Sequence, residues 1–279
     1  MKLGKKVEIE KIKSASGKEV LKDIIPAEIL LTVFLNNIPL STLSCSPANV
    51  TELAIGFLVN NGYIKKYNEI NLIRKCKDQL NMKNRVPAMS IKIETSCRDV
   101  VIEIKNSEFI KFISSVCGNA EGLILSNKLP KIKSSTRITA EVILKLNQET
   151  IKLQKHKKEF GGLHCAALFD VRGNCLVVME DLGRHNCIDK IAGYMQIFGL
   201  QSSDKVIFTT GRLTVDAIYK IYQMSIPVIV TNSSITHSAV LLAKKINLTS
   251  IGYARGGRFN IYTHPLRIIK PDNLNKLKG

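Results

Sequence analysis

The spacing of apolar residues divides the chain into two parts with different periods. Up to about residue 110, short runs that are apolar or alternate between apolar and polar residues are bounded by Pro and Asn, which favours β-strands. A helical period at 50–59, preceded by the candidate caps Ser46 and Asn49, predicts one helix. The Lys-rich residues 66–88 are expected to form a loop. The strands expected in this part are residues 7–12, 29–35, 40–43, 90–93 and 99–104.

From residue 139 onward, apolar runs of strand length alternate with helical segments. Such alternation is typical of an α/β layer with parallel strands. Residues 111–138 contain a Cys-Gly turn and a polar, Lys-rich stretch. We interpret them as a catalytic loop and linker between a β-rich domain at 1–110 and an α/β domain at 139–279. The expected helices are residues 140–157, 186–198, 215–224 and 238–246, and the expected strands are 166–170, 175–180, 206–209, 227–231 and 250–253.

Composition places the chain among soluble globular proteins. Of its 279 residues, 45% are hydrophobic and 23% are charged, and no apolar run approaches the roughly 18 residues of a membrane span. The seven cysteines show no C-x-x-C spacing, and the basic N-terminus is not followed by an apolar segment. We therefore expect a cytoplasmic protein with free thiols and no membrane association.

The net charge of +18 predicts attraction to polyanions. Lysines make most of the excess, but six of the ten arginines fall between Arg172 and Arg267. Because a planar guanidinium group grips phosphate better than an ammonium group does, these clustered arginines are the stronger candidates for ligand contact. Nucleic acid fits the charge, but the sequence lacks a basic motif interleaved with aromatic residues, so no nucleic-acid partner is expected.

Three segments of the second part could bind an anion or a nucleotide. Residues 210–212 (Thr-Gly-Arg) and 232–234 (Asn-Ser-Ser) each follow a strand and precede a helix, and neighbouring strand ends of this kind form the crevice in which nucleotides bind. Each alone could equally be an ordinary capped helix. In the third segment, Arg255 and Arg258 flank a glycine pair ahead of aromatic, amide and imidazole groups, which suits either a ligand site or a structural hairpin.

Three further segments carry groups that could take part in chemistry. Residues 180–190 place many ionisable groups at a predicted helix start, where His185 and Asp189 share a helix face. The carboxylate could fix the histidine tautomer, and a charged helix start with a surface pair is the alternative. Residues 161–164 (Gly-Gly-Leu-His) form either a tight turn or a close approach to a ligand. Cys117 lies in a polar, glycine-containing turn, where a thiolate could be exposed and nucleophilic.

Taken together and in this order, these segments resemble the FdhD family, the sulfurtransferase accessory proteins of formate dehydrogenase. The resemblance implies a small β-rich domain joined to a cytidine-deaminase-like α/β domain, in a homodimer. It also implies sulfur transfer from a cysteine desulfurase to the molybdenum cofactor, in its bis-guanine-dinucleotide form, before the cofactor enters formate dehydrogenase. The residues that carry the resemblance are 31–36, 51–58, 161–164, 180–186, 189–190, 210–212, 254–256 and 258–265.

The resemblance also assigns roles to residues. The reactive cysteine of the family's Cys-Gly-x-Cys loop carries sulfur as a persulfide, and Cys117 matches its first position, with Ala120 at the second. In the alternative register, Ser114 and Cys117 take the two positions. One thiol is enough for a persulfide relay. A cofactor-binding chaperone without sulfur transfer is the alternative function. The residues expected to bind the cofactor are Arg212, Arg255, Arg258, Phe259, Asn260, Ile261, Tyr262, Thr263 and His264.

No metal site is expected. A zinc-dependent deaminase needs a Pro-Cys-x-x-Cys pair and a glutamate two residues after its first ligand. The segment that begins at His164 continues with Cys and Ala, so it has no such glutamate, and the chain has no C-x-x-C. The implied deaminase-like fold is therefore expected without zinc.

Overall fold

The computed structural model describes residues 2–14, 17–77, 86–96 and 129–270. These residues form a hairpin, a four-stranded sheet, a six-stranded sheet and the helices that cover the two sheets. Cys117 lies outside the described residues, and so do the strand predicted at 99–104 and most of the predicted linker.

The N-terminal hairpin consists of β1 (Gly4–Lys13) and β2 (Gly17–Pro26), which pair antiparallel along ten residues each. No residue of either strand is fully buried, so the hairpin is a surface ribbon. The sequence predicts β1 but not β2, because the second strand has no regular alternation of apolar and polar residues. Its pairing depends on the backbone ladder and on exposed ion pairs such as Lys13–Glu19, each worth less than about 1 kcal/mol.

A four-stranded sheet follows, and its strands are β3 (Ile29–Leu35), β4 (Ile38–Cys45), β5 (Ile70–Lys77) and β6 (Ala88–Thr95). The strand order is β4-β3-β6-β5, and helix α1 (Val50–Asn60) packs its apolar side chains on one face. Asn36 and Asn37 have φ values of 46° and 67°, which form the tight turn between β3 and β4. The predicted hairpin and the helix predicted at 50–59 are therefore confirmed.

The prediction of a loop at 66–88 is wrong for residues 70–77. These residues form β5, an edge strand that pairs antiparallel with β6 and follows a 3₁₀ turn at Tyr67–Glu69. An edge strand needs only one partner, and the exposed positions of β5 carry Asn71, Arg74 and Lys75. Its polar composition therefore resembles that of a loop.

A mixed six-stranded sheet forms the centre of the second part. Its strands are β8 (His164–Asp170), β9 (Cys175–Asp181), β10 (Lys205–Thr209), β11 (Val228–Thr231), β12 (Thr249–Arg255) and β13 (Arg258–Ile261), in the order β13-β12-β11-β10-β8-β9. The pairs β10–β11 and β11–β12 are parallel, as the alternation of strands and helices predicts. The other pairs are antiparallel, so the sheet is not parallel throughout.

Helices cover both faces of this sheet. They are α2 (Ala140–Leu153), α3 (His156–Phe160), α4 (Arg184–Ile197), α5 (Val215–Gln223) and α6 (His237–Lys245). Alternate residues of a strand point to opposite faces, so Ile207 packs toward α4, α5 and α6, whereas Val206 and Phe208 pack toward α2. Strands buried on both faces explain the continuous apolar runs of the sequence.

The single helix predicted at 140–157 is wrong at its end. Helix α2 stops at Leu153, because Gln154 has an extended backbone with φ −64° and ψ 119°. The short helix α3 then begins at His156, where the Glu180 carboxylate accepts hydrogen bonds from the first backbone N–H groups. A distant acidic residue thus sets a boundary that helical periodicity cannot reveal.

Two very short strands join distant segments. Strand β7 (Ile138–Thr139) lies directly before α2 and pairs in parallel with β14 (Ile268–Ile269), which follows a 3₁₀ turn at Pro265–Arg267. The described chain is therefore a mixed α/β structure. The domain limits at residues 110 and 138 and the deaminase-like assignment stay predictions. Among the described residues, no helix is long and apolar enough to cross a bilayer.

Helices α1 and α4 cross at a point where both carry glycine. A Cβ atom placed on Gly56 would stand 1.7 Å from the backbone oxygen of Asp189, and one on Gly193 would stand 1.9 Å from that of Glu52. Only hydrogen fits at either position, so the two backbones are in direct contact. This crossing joins the helix of the four-stranded sheet to the six-stranded sheet.

We expect Gly56→Ala to lower the free energy of unfolding by about 1–3 kcal/mol, because the added methyl group must push the two helices apart. Urea denaturation measures the change. Gly62→Asn is the control, since Gly62 has φ +74°, a side chain there would meet no atom within 4 Å of its Cβ, and Asn tolerates that backbone conformation. Equal stability of Gly56→Ala and the wild type would refute the close contact.

Candidate functional site

A buried ion pair joins α4 to the end of β9, and it holds the loop before α1 through Ser46. Lys190 Nζ lies 2.6 Å from Asp181 Oδ2, and both side chains are completely buried. Ser46 donates its backbone N–H and its hydroxyl to the same carboxylate oxygen, at 3.1 and 3.0 Å. Lys190 also donates to the hydroxyl of Ser46 and to the carbonyl of Glu180. Every charge in this cluster has a partner, which is the condition for burying charges without a large loss of stability.

A second buried pair joins α4 to α5. Lys220 Nζ contacts both carboxylate oxygens of Asp189, at 2.9 and 2.8 Å, and Asn60 donates its amide to one of them at 2.7 Å. Burial alone would lower the pKa of Lys220, but Asp189 and Asp216 raise it above its usual value. Lys220 therefore stays charged, and the pair ties the end of α1 to both helices.

Glu180 organises the start of α3. Its carboxylate accepts backbone N–H bonds from Lys155, His156 and Lys157 at 3.2, 3.0 and 2.9 Å, and it lies 2.9 Å from Nδ1 of His156. Glu180 and Asp189 therefore have structural partners in α1, α3 and α5. The density of ionisable residues in this part of the sequence reflects a junction of elements.

The helix-face hypothesis expects His185 to pair with Asp189, but the structure does not form this pair. Nε2 of His185 instead lies 3.4 Å from Thr214 Oγ1 and 3.4 Å from Asp216 Oδ2, both at the start of α5. Burial lowers the pKa of His185, and Asp216 opposes this shift. The oxygens of Asp189 are taken up by Lys220, so they do not fix the histidine tautomer.

The carboxyl ends of β10, β11 and β12 meet at one edge of the six-stranded sheet, here called the carboxyl edge. Arg212 follows β10, Arg255 ends β12 and Arg258 begins β13, and all three are exposed. His164 begins β8 at the same edge, because β8 runs antiparallel to β10. The topology thus brings the three predicted arginines to one edge.

Arg184 adds positive charge at the carboxyl edge. A Cβ atom on Gly211 would stand 2.8 Å from the Cβ of Arg184, so this arginine lies against the loop that follows β10. Burial lowers the pKa of His164, and nearby Arg184 and Lys157 lower it further. The histidine is therefore neutral at pH 7, and the charge of this part of the edge comes from Arg and Lys.

The helix starts near the carboxyl edge already have side-chain caps. Thr214 and Thr236 precede α5 and α6, and each accepts a hydrogen bond from a backbone N–H of the first turn. The helices begin several residues after the segments 210–212 and 232–234. An anion at those segments would therefore meet loop backbone and Arg212 before it met a helix end.

The predicted cofactor residues of β13 and the turn after it lie in different surroundings. Phe259 and Ile261 pack against the apolar cluster under α2, and Asn260 between them is exposed. Thr263 is buried, where its hydroxyl accepts the backbone N–H of Ser250 at 2.8 Å. These contacts fix β13 and its turn against β12.

A cleft of about 700 Å³ lies at the opposite edge of the sheet, beside the start of β12, and we call it the amino-edge cleft. Residues 262–264 form one side, and residues 134–137 form another. This volume is typical of small-molecule sites. Six of the nine predicted cofactor residues therefore form two groups at opposite edges, with the three arginines at the carboxyl edge and Tyr262, Thr263 and His264 in the cleft. The other three, Phe259, Asn260 and Ile261, lie on β13 between the two groups. That both groups bind one cofactor stays a prediction.

Three basic residues line this cleft, and the sequence analysis counts only Arg267 among the clustered arginines that are candidates for ligand contact. Arg137, Lys244 and Arg267 line it, but they lie in three separate segments of the chain. Strands β7 and β14 are two residues long, which is too short for an apolar period to predict them. The available signal is weak: an arginine precedes a short β-branched pair in both segments.

The described residues do not bring together a metal site. Among residues 2–14, 17–77, 86–96 and 129–270, no group of three or more His, Cys, Asp or Glu side chains is placed to hold an ion. The carboxylates of Glu180, Asp181 and Asp189 are engaged with His156, Lys190 and Lys220.

Comparison with known proteins identifies the family. The sequence model of a protein family, described as "FdhD/NarQ family", matches residues 26–269. The chain belongs to the FdhD/NarQ family. It is 30% identical to the sulfur carrier protein FdhD of Bacillus subtilis, over 89% of this chain and 91% of that protein. It is also 30% identical to the sulfur carrier protein FdhD of Sulfolobus acidocaldarius, over 95% of this chain and 98% of that protein.

A solved structure shares the fold. The crystal structure of a candidate formate dehydrogenase accessory protein from Desulfotalea psychrophila matches with a TM-score of 0.72 at 24% identity. The match covers 96% of this chain and all of that one. The resemblance to the FdhD family is confirmed, and this FdhD/NarQ family member has the fold of that accessory protein.

We expect Lys190→Met to lower the free energy of unfolding by about 3–5 kcal/mol, because it leaves the Asp181 carboxylate buried without its cation. Adding Asp181→Asn should restore part of the loss. Lys152→Met, which breaks the exposed pair with Glu149, is the control and should change stability by no more than about 0.5 kcal/mol. Urea denaturation measures all three variants, and equal losses for Lys190→Met and the control would contradict the role of the buried pair.

The lowered pKa of His185 predicts how stability depends on pH. Between its folded pKa and the ordinary value of 6.5, the unfolded chain binds a proton that the folded chain does not. Stability should therefore be full above about pH 6.5 and should fall as the pH drops below it. His185→Gln should flatten the dependence, because it removes this titrating group. Thermal unfolding between pH 5 and 8 tests this, and an unchanged slope in His185→Gln would count against it.

Proposed function

We propose that this protein is a sulfur carrier that serves the maturation of formate dehydrogenase. It accepts sulfur from a cysteine desulfurase, holds it as a persulfide on Cys117 and delivers it to the molybdenum cofactor, which is its substrate. The observation that carries the proposal is the match to proteins named sulfur carrier protein FdhD over about nine-tenths of the chain.

The chemistry of the described cysteines supports a carrier thiol elsewhere in the chain. Burial raises the pKa of Cys45 and Cys165 to about 12 and that of Cys175 to about 11. Burial also raises the pKa of Cys187 well above its ordinary value. Because the thiolate is the nucleophile, these four cysteines are unreactive at neutral pH. Among the described cysteines this leaves Cys76, which is half-buried on β5.

Cys117 lies outside the described residues, and its sequence context supports the assignment. Cys117-Gly118 matches the first half of the family's Cys-Gly-x-Cys loop. Its thiolate attacks the outer sulfur of the donor persulfide, a new S–S bond forms, and the donor cysteine leaves as a thiolate. The exchange consumes no oxidant or reductant, and it needs only one thiol on the acceptor.

The distribution of charge suits a phosphorylated substrate. The bis-guanine-dinucleotide form of the cofactor carries phosphates on two arms, and this chain has a net charge of +18. Arg212, Arg255 and Arg258 supply charge-assisted contacts at the carboxyl edge. Residues 262–264 contribute from the amino-edge cleft. Two separated groups suit a ligand with phosphates in two places.

The proposal includes partners, assembly and compartment. The donor is a cysteine desulfurase, the client is formate dehydrogenase, and the carrier acts as a homodimer in the cytoplasm, where thiols stay reduced. The basic surface speeds the encounter with acidic partners. The cytidine-deaminase-like description of the α/β part belongs to the same proposal.

A cofactor-binding chaperone without sulfur chemistry is the alternative function. It is motivated by the single thiol of the Cys117 segment, where Ala120 stands at the second position of the family's loop. The two functions differ in one result. A chaperone with Cys117→Ala still activates formate dehydrogenase, whereas a sulfur carrier with this change does not.

We expect incubation with a cysteine desulfurase and cysteine to add about 32 Da to the peptide that contains Cys117, and a reductant should remove the adduct. Mass spectrometry of the digested protein measures it. Cys76→Ala is the matched control, because it removes a half-buried thiol and should leave the adduct and the activation unchanged. An adduct on another cysteine, or normal activation by Cys117→Ala, would overturn the proposed relay.

A further inference from the structure

Arg267 is a buried cation without a carboxylate partner in the described chain. The residue is 7% exposed, and its Nη1 donates to Thr249 Oγ1 at 3.1 Å. Its Nε is buried and has no hydrogen-bond partner among the described residues. Burial lowers the pKa of this guanidinium, and no nearby acid offsets the shift. A buried charge of this kind is stabilised when an anion pairs with it.

The pairing of β7 with β14 places a second arginine beside the first. Ile138 pairs with Ile268 in parallel register, and Arg137 and Arg267 are the residues directly before them. Neighbouring strands lie about 4.8 Å apart, so the backbones of the two arginines are adjacent. Both residues line the amino-edge cleft. An anion in the cleft is therefore attracted by both charges.

The remainder of the cleft adds positive charge and hydrogen-bond donors. Lys244, in the last turn of α6, lines it together with the hydroxyl-bearing residues Ser135 and Tyr262. None of the described residues that line the cleft is acidic. Arg137 and Lys244 are exposed, so both can close on a ligand that enters from solvent. The cleft therefore combines one fixed, buried cation with two movable ones.

We propose that the amino-edge cleft binds a diphosphate group, with Arg267 as the fixed contact and Arg137 and Lys244 as the closing contacts. Three cations suit a ligand with more than one negative charge, and about 700 Å³ exceeds what a single phosphate fills. The identity of the molecule that carries the diphosphate rests on the proposed function, in which it is one arm of the cofactor. The site itself does not depend on sulfur transfer.

Isothermal titration calorimetry with inorganic pyrophosphate at physiological salt tests the site on the full chain. Arg137→Gln and Lys244→Gln should each weaken binding by about tenfold, because each removes one charge-assisted contact. Both positions are exposed, so the variants should keep the wild-type melting temperature. Unchanged affinity in both variants would overturn the proposal.

A matched control separates this site from general attraction to a basic surface. Arg74→Gln removes the same charge from exposed β5 and should not change the affinity for pyrophosphate. Equal weakening by Arg74→Gln would show unspecific attraction, and weakening by Arg255→Gln with unchanged affinity in Arg137→Gln and Lys244→Gln would place the anion at the carboxyl edge. Either result would overturn the assignment.

Orthophosphate distinguishes a diphosphate site from a site for one phosphate. It should bind at least about tenfold more weakly than pyrophosphate, and equal affinity would overturn the assigned ligand class. The Cys117 adduct is measured separately. An adduct without a pyrophosphate site that depends on Arg137 refutes this inference alone. Pyrophosphate binding that depends on Arg137, in a protein that forms no adduct, refutes the proposed function alone.

Discussion

Two helix backbones can touch only where neither carries a side chain, and the contact between α1 and α4 meets that condition with Gly56 and Gly193. Through this contact the four-stranded sheet is held against the six-stranded one. The direction of α4 then sets the position of Arg184 beside the loop that follows β10. The arrangement of the carboxyl edge therefore depends on a helix crossing that lies away from it.

Charged residues complete this junction, where apolar residues would pack in several ways. The Asp181 and Asp189 carboxylates each face one lysine at close range and accept further bonds from residues near the ends of α1. Such bonds have direction, so they favour the rotation of α1 against α4 in which they form. We infer that the buried pairs select this arrangement, while the apolar clusters on either side supply most of the free energy.

The sequence predicts regular elements well where packing imposes a period. The helix at α1 and the parallel strands β10, β11 and β12 follow from apolar spacing, because each is buried on one or two faces. Prediction from the sequence fails where a residue that is distant in the chain determines the local structure. Glu180 starts α3 across a gap in sequence, and β5 is a strand only because β6 pairs with it.

The candidate site shows the same division. The three arginines of the carboxyl edge follow recognisable strand ends, so topology alone predicts that they share an edge. The basic residues of the amino-edge cleft come from three segments that meet only through the short β7–β14 pair. No local pattern encodes that meeting. The turn after β13 is close to the arginines in sequence, so the prediction places them in one site. Strand β13 runs antiparallel to β12, however, and the turn therefore lies at the other edge.

The burial of Cys45, Cys165 and Cys187 has a practical consequence for the whole molecule. Electrophiles and oxidants reach these sulfur atoms only when the surrounding packing opens, so their rate of labelling reports that opening. Cys45 lies at the end of β4, and Cys165 and Cys187 lie in β8 and α4. The labelling rates of these three cysteines therefore measure local opening of the structure on both sides of the helix crossing.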